Sequence, residues 1–245
     1  MIADSTADTA CFWEVLFARR NVLVALILFL VIAVLCLLAP LIAPADPFKM
    51  AERARLAEPG ALYWLGADAF SRDVASRLLY AGQASLTIGL GVATISSVIG
   101  IAIGLVAGFF RRLDAPMSRL IDAMMAFPDI LLAIAPVSIL SGSMVNVMIA
   151  LSIVYAPRIA RIVRASTLVI RKLPYVEAAR ALGSSTWAIM TTHVLRNIMS
   201  PIIVQATFIF AYAMLAEAGL SFLSVGVNPA TPTWGDHDQR RPSIH

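Results

Sequence analysis

Residues Pro174–Pro201 read PYVEAARALGSSTWAIMTTHVLRNIMSP, and they are the one long polar interruption in the apolar second half of the chain. Proline suits a first helical position, and Pro174 stands where such a helix would open. Glu177 falls in the first turn, where the helix dipole favours an anion, and Gly183 is placed to end the helix in a left-handed turn. Ser184 or Ser185 can then cap a second amphipathic segment. The stretch therefore predicts helix, glycine turn, helix, projecting outside a bilayer between two spans.

Composition assigns the class. The 245 residues are 60% hydrophobic and only 14% charged, too little polar surface for a water-soluble globule of this size. The chain belongs in a lipid bilayer. A net charge of +4 and a pI near 9.4 raise the question of nucleic acid, but the basic residues sit in short clusters beside apolar runs, as topology requires. Nucleic-acid binding is excluded on that ground. Cys11 and Cys36 would lie at different membrane levels and offer no disulfide framework.

Residues 1–20 read as a cytoplasmic tail ending in Arg19 and Arg20. Asn21 to Ala43 is uncharged and long enough for the roughly 20 residues a spanning helix needs. A cleaved signal peptide would share the basic flank, but its apolar core is usually only about 7–15 residues. An uncleaved first span is the reading. A polar segment with nearly balanced charges, from Ala45 to about Gln83, suits the outer face, so residues 21–83 form a first region. Residues 84–235 form a core with further spans near Ala84–Phe110, Leu120–Leu140, Met144–Ile162 and Ile198–Leu220. This gives an all-α polytopic protein of about five spans, N-terminus inside, oriented by Arg111, Arg112 and Arg119 and by the cluster from Arg158 to Lys172.

Within the core, Gly100, Gly104 and Gly108 recur every four residues, a spacing that lets another helix backbone approach; lining a path is the alternative. Prolines at Pro128 and Pro136 should bend or interrupt the third span. Asp122 and Asp129 read as snorkelling or capped carboxylates near the cytoplasmic end. Arg158, Arg161 and Arg164 read as an inside signal or a lipid-contacting basic face. Glu217, with Gln205 on the same span, is a pathway candidate because ionisable groups inside spans are functional by default; hydration near the outer interface is the alternative. The final segment, residues 236–245, is polar and atypical, and could not cross a bilayer.

Two stretches carry a family resemblance. Glu177-Ala178-Ala179, Gly183 and His193-Val194-Leu195-Arg196-Asn197 resemble the EAA loop of bacterial ABC importer permeases, although Arg196 stands where a proline is usual. Leu65-Gly66-Ala67-Asp68, then Ser71-Arg72-Asp73 and Ser76-Arg77-Leu78-Leu79-Tyr80, resemble the signature of the C-type permease of dipeptide, oligopeptide and nickel importers. Ser71 replaces the usual glycine. Ala126-Phe127-Pro128 and the run from Glu217 to Gly235 look like the same family, whose last span would follow, so the chain reads as truncated before it.

The resemblance implies a permease subunit of the bacterial inner membrane, importing peptides, with nickel the next substrate. It implies a coupling loop of Glu177, Ala178, Ala179, Gly183, His193 and Leu195. Implied partners are a second permease, two ATP-binding subunits and a periplasmic substrate-binding protein. No phosphate loop, zinc pattern or nucleophile elbow occurs in the sequence, so no catalytic residue, metal or cofactor is expected on this chain and ATP belongs to a partner. A non-transporting membrane partner is the alternative of a different class.

Overall fold

A computed structural model describes residues 19–47, 56–61, 63–68, 70–140, 142–223, 225–227 and 232–237. The tail with Cys11 and residues 238–245 of the atypical terminus lie outside them. Among the described residues the protein is helical, with no β-strand beyond an isolated bridge between Ala67 and Asp73. Residues 1–83 and 84–245 form two compact units.

In the first unit, α1 (Arg20–Leu37) is an apolar rod, and the chain turns at Leu38 into the short α2 (Ala39–Ile42), with Pro40 in its first turn. The segment before the next helix is held by side chains. Asp68 Oδ1 accepts from the Phe70 and Arg72 amides at 2.8 and 2.9 Å, and its other oxygen accepts from Arg72 Nε at 3.2 Å. Asp73 then caps the following helix, accepting from the Ser76 amide at 2.8 Å and from Ser76 Oγ at 2.6 Å. Ser76 Oγ in turn accepts from the Ala45 amide at 3.1 Å. The carboxylates of Asp68 and Asp73 thus hold a turn and a cap.

Gly66 has φ +81°, and a Cβ there would lie 2.6 Å from the Ala57 carbonyl oxygen. Ser71 has φ +61°, the left-handed region in which glycine carries no penalty. That is the physical reason a glycine suits this position. Ser71→Gly is therefore expected to raise stability by up to about 1 kcal/mol, whereas Gly66→Ser should lower it by more. Thermal unfolding of the two purified variants would check the opposite signs.

The helix capped by Asp73, α3 (Val74–Phe109), has 36 residues. It starts ten residues before the expected second span, so residues 74–83 are helix and not loop. At 1.5 Å per residue it is about 54 Å long, more than the roughly 30 Å of bilayer hydrocarbon. The expected third span is also corrected. Residues 111–140 form two helices, α4 (Arg111–Met125) and α5 (Asp129–Leu140), which meet at 92° across Ala126-Phe127-Pro128. Pro128 breaks the helix as expected; Pro136 lies inside α5 and does not interrupt it. α4 carries Arg111, Arg112, Asp114, Arg119 and Asp122, so it lies outside the hydrocarbon, and α5, about 18 Å long, is too short to cross alone.

Ser143 caps α6 (Met144–Ile170), which runs eight residues past the expected end at Ile162. After the short α7 (Pro174–Ala181) and a helical turn α8 (Thr186–Ala188), the second half of the loop is π-helical from Ile189 to Leu195, not a regular α-helix. It leads into α9 (Met199–Phe222). Among the described residues α1, α3, α6 and α9 are long and apolar enough to cross a membrane, and α4 and α5 reach that length only if the bent pair is counted as one span.

In the second unit α6 is central. Its most apolar window is 56% buried, against 39% for α3 and 22% for α9. The core joins Ile88 and Val92 of α3, Ala133 and Val137 of α5, Leu151 and Ile159 of α6, and Ile209, Ala213 and Leu220 of α9. Little of this is a difference of hydrophobicity between protein and lipid tails. Association of such helices rests on close packing.

Candidate functional site

The polar loop has a definite shape. Leu173 is extended, Pro174 opens α7, and Glu177 lies in its first turn. The helix ends in a doubly bonded left-handed turn: the Ser184 amide donates to the Ala179 carbonyl and the Gly183 amide to that of Arg180, each at 3.0 Å. Gly183 has φ +82°, with open space where a Cβ would stand. Glycine is required here by backbone conformation and not by crowding. Ser185, not Ser184, caps the next turn, accepting from the Ala188 amide at 3.2 Å.

α7 is fixed to the π-helical turn beneath it. Val176 is fully buried, Ala179 and Leu195 pack partly against the core, and Tyr175 faces the His193 ring at 6.1 Å. Asn197 Nδ2 donates to the Tyr175 hydroxyl at 3.1 Å and to the His193 carbonyl at 2.6 Å. His193 is thus a packing and backbone partner. On the other side Glu177 and Ala178 are exposed, as are Leu182 at 87% and Trp187 at 72%. Glu177 makes no ion pair among the described residues.

The arginines of α6 have partners that the sequence did not reveal. Arg158 pairs with Asp129, Arg161 with Asp122 at 2.6 Å, and Arg164 with Asp114 at 2.6 Å. Three residues per step on α6 match seven or more per step on the chain that turns the corner from α4 to α5. This ladder replaces both the lipid-facing reading of the arginines and the snorkelling reading of Asp122 and Asp129. The Arg164 hydrogen bond holds the Asp114 carboxyl below the usual carboxylate range, with burial opposing it. That pair therefore persists at neutral pH and is lost only as pH falls through the depressed pKa. Arg158 also lies over the rings of Tyr155 and Tyr212, at 5.3 and 5.1 Å.

Exposure separates the rungs. Arg161 and Asp122 are 48% and 67% exposed, whereas Arg164 and Asp114 are each 27% exposed. Asp122→Asn is expected to change stability by less than about 0.5 kcal/mol, and Asp114→Asn to lower it by about 1 kcal/mol. Thermal unfolding in detergent, at low and high salt, would test the ranking.

The glycine stripe faces α6. A Cβ on Gly100 would lie 2.6 Å from Ile159 Cβ, one on Gly104 2.6 Å from Val163 Cβ, and one on Gly108 2.6 Å from Thr167 Cβ. The space is occupied by a helix and not by a path. Arg171 closes the same junction, donating to the Gly108 carbonyl at 2.7 Å and the Phe109 carbonyl at 3.3 Å.

Glu217 is fully buried, which corrects the hydrated alternative. Its carboxylate accepts from Ser221 Oγ at 2.8 Å and from Ser85 Oγ at 3.3 Å. The segment after α9 folds back over it: Thr233 Oγ1 lies 3.5 Å from Ser221 Oγ, and the Trp234 amide donates to Ser85 Oγ at 3.4 Å. Glu217 therefore fastens the end of α9 to α3 and to the returning chain. Gln205, three turns earlier, is half-buried and takes no part in this knot.

Residues 100–238 match the family described as "binding-protein-dependent transport system inner membrane component", and residues 10–59 match the N-terminal transmembrane domain of oligopeptide transport permease C. A protein of Brucella suis biovar 1 (strain 1330), provisionally named a peptide transport system permease, is 46% identical over 220 residues, covering 90% of this chain and 74% of its own. The di/tripeptide transport system permease protein DppC of Pseudomonas aeruginosa (strain UCBPP-PA14) is 40% identical over 231 residues, covering 91% and 76%. The glutathione transport system permease protein GsiD of Pectobacterium atrosepticum is 37% identical over 227 residues, covering 91% and 75%. With apolar helices flanking a capped polar loop, and with one family model covering residues 100–238 and the other residues 10–59, the chain belongs to the binding-protein-dependent inner-membrane permeases, as a multi-pass C-type subunit of the ABC peptide permease group.

Proposed function

We propose that this chain forms part of the translocation path of an importer for short peptides and that ATP hydrolysed on separate subunits drives it through α7. The observation that carries the reading is α7 itself. It is anchored by Val176 and exposes Glu177, with Leu182 and Trp187 exposed on either side of the turn that follows it, between two helices long enough to span. A rigid element so placed moves only as α6 and α9 move. Glu177 would meet a basic or polar group of the ATP-binding subunit, and Gly183 sets the direction of the helix end. Ala178, Ala179, His193 and Leu195 keep this surface in shape.

A second permease fits the membrane face of α9, where Phe208, Tyr212 and Leu215 are exposed. The full assembly would add two ATP-binding subunits and a periplasmic binding protein, in the bacterial inner membrane. The peptide assignment draws on the relatives named for di/tripeptide and glutathione transport. To test it, the complex is reconstituted in proteoliposomes with its binding protein, and uptake of labelled dipeptides, tripeptides and nickel ion is measured with and without ATP. ATP-dependent entry of peptide is expected. Entry of nickel alone, or entry of peptide without ATP, would overturn the reading.

A further inference from the structure

Of the three rungs on α6, one is built differently. Arg161 and Arg164 meet aspartates of α4, whereas Arg158 meets Asp129, the first residue of α5. Arg158 also lies over two rings, Tyr155 of α6 at 5.3 Å and Tyr212 of α9 at 5.1 Å. The Tyr155 hydroxyl donates to the Tyr212 carbonyl at 3.4 Å, which ties the two tyrosines together. Three helices thus bring one cation, one anion and two aromatic faces to a single place.

The surroundings of this rung are apolar. Residues 130–140 of α5, 144–157 of α6 and 199–216 of α9 carry no charged side chain. An ion pair set among such helices is a weak source of stability, because lost hydration offsets the attraction. Nor is the pair needed to seat α5, since Ala133 and Val137 are buried in the core. Yet it is not sealed: Arg158 and Asp129 are half-buried and Tyr212 is exposed. Reachable charges among apolar helices mark a route for a polar solute. The chemistry selects which one. A guanidinium takes a carboxylate through two parallel hydrogen bonds, a carboxylate takes an ammonium, and a tyrosine face attracts a cation. A solute with both an ammonium and a carboxylate can replace the pair charge for charge, leaving neither side chain unmatched; an ion of one sign cannot. A short peptide with free ends is such a solute. The ends of an extended dipeptide lie about 7 Å apart, a gap that the long Arg158 side chain can open by swinging from Asp129.

We propose that Arg158 and Asp129, flanked by Tyr155 and Tyr212, form a station of the translocation path that holds a zwitterionic short peptide by both ends, Arg158 taking its carboxylate and Asp129 its ammonium. This rests on the peptide-import reading and adds the residues that recognise the cargo. Under that reading the path runs along the face turned to the second permease, where Tyr212 is exposed. The purified complex of both permeases and the ATP-binding subunits, without binding protein, is titrated with labelled alanyl-alanine, and alanyl-alanine amide and N-acetyl-alanyl-alanine serve as competitors. Wild type should prefer the free peptide to either blocked form by about tenfold. Arg158→Gln should bind the free peptide and the amide equally while still rejecting the acetyl form. Asp129→Asn should accept the acetyl form as well as the free peptide and still reject the amide.

This crossed pattern reads each end of the peptide separately, whereas loss of a purely structural pair would lower all three affinities alike. Where a neutral variant does not assemble, Arg158→Lys or Asp129→Glu takes its place, and the preference should weaken at the matching end only. A preference for both free ends that persists in the variants, or one that falls at both ends alike, would overturn the proposal. So would a wild-type complex that imports peptide into proteoliposomes yet binds none without its binding protein; import itself would then stand. A complex that imports no peptide overturns the import reading, and the station with it.

Discussion

Gly104→Leu is expected to lower the stability of the folded protein by about 3 kcal/mol, the upper end of the usual range for overpacking. At this position a Cβ would stand 2.6 Å from Val163 Cβ and 2.7 Å from the Ala160 carbonyl oxygen. A flexible side chain could give way; a backbone carbonyl in the middle of α6 cannot. α3 and α6 would have to separate, and both neighbouring contacts of the stripe, at Gly100 and Gly108, would open with them. In a bilayer this loss has no compensation from solvent, because the tails that would replace α6 are as apolar as the helix they displace.

A control for the substitution itself lies on α9. A Cβ on Gly219 would meet only Ile130 Cδ1, at 3.9 Å, which is ordinary contact. Gly219→Ala should be neutral or stabilising by up to about 1 kcal/mol, the gain in helix propensity. Thermal unfolding and protease resistance of purified protein in detergent would report both. If Gly104→Leu unfolds at the wild-type temperature, the close approach of α3 and α6 is not what holds the unit together.

The stripe was legible because its signal is local: a repeat of four on one helix fixes a face whatever the partner is. α7 was legible for the same reason, since Pro174, Glu177 and Gly183 each act within a turn. The ion-pair ladder was not. Its aspartates lie 29, 39 and 50 residues from their arginines in sequence, and only the corner at Phe127-Pro128 brings them to one side of α6. Read along the chain, the arginines report topology and the aspartates report nothing. The burial of Glu217 was not legible for a related reason. Its height near the end of a span predicts hydration, but the chain that returns through Thr233 and Trp234 covers it. The left-handed φ of Ser71 left one trace in the sequence, a serine where the resembling signature has glycine.

Gly183→Val should reduce ATP-driven uptake about tenfold or more while leaving the protein in the membrane at normal level. A β-branched residue in the left-handed region costs about 1–2 kcal/mol, enough for roughly a tenfold change in the population of the correctly aimed helix. Nothing crowds the site, so the penalty is conformational and falls on the turn alone. The turn can relieve it only by giving up the bonds from Gly183 and Ser184 that end α7. Leu182 and Trp187, exposed on either side of that turn, would then be carried out of register with the proposed ATP-binding partner. Glu177→Ala acts differently. It leaves the helix in place and removes one charged group, worth about 1.5–3 kcal/mol if a partner donates hydrogen bonds to it. The two variants should therefore separate: Glu177→Ala weakens assembly with the ATP-binding subunit, whereas Gly183→Val, even where assembly is restored by excess subunit, leaves ATP hydrolysis poorly stimulated by loaded binding protein. Gly183→Ala, without the β-branch, should fall between Gly183→Val and wild type. Measuring membrane level, assembly, stimulated ATPase rate and uptake for each variant distinguishes loss of docking from loss of transmission. Wild-type values of all four in both Glu177→Ala and Gly183→Val would mean that α7 only links two helices and that the drive enters elsewhere.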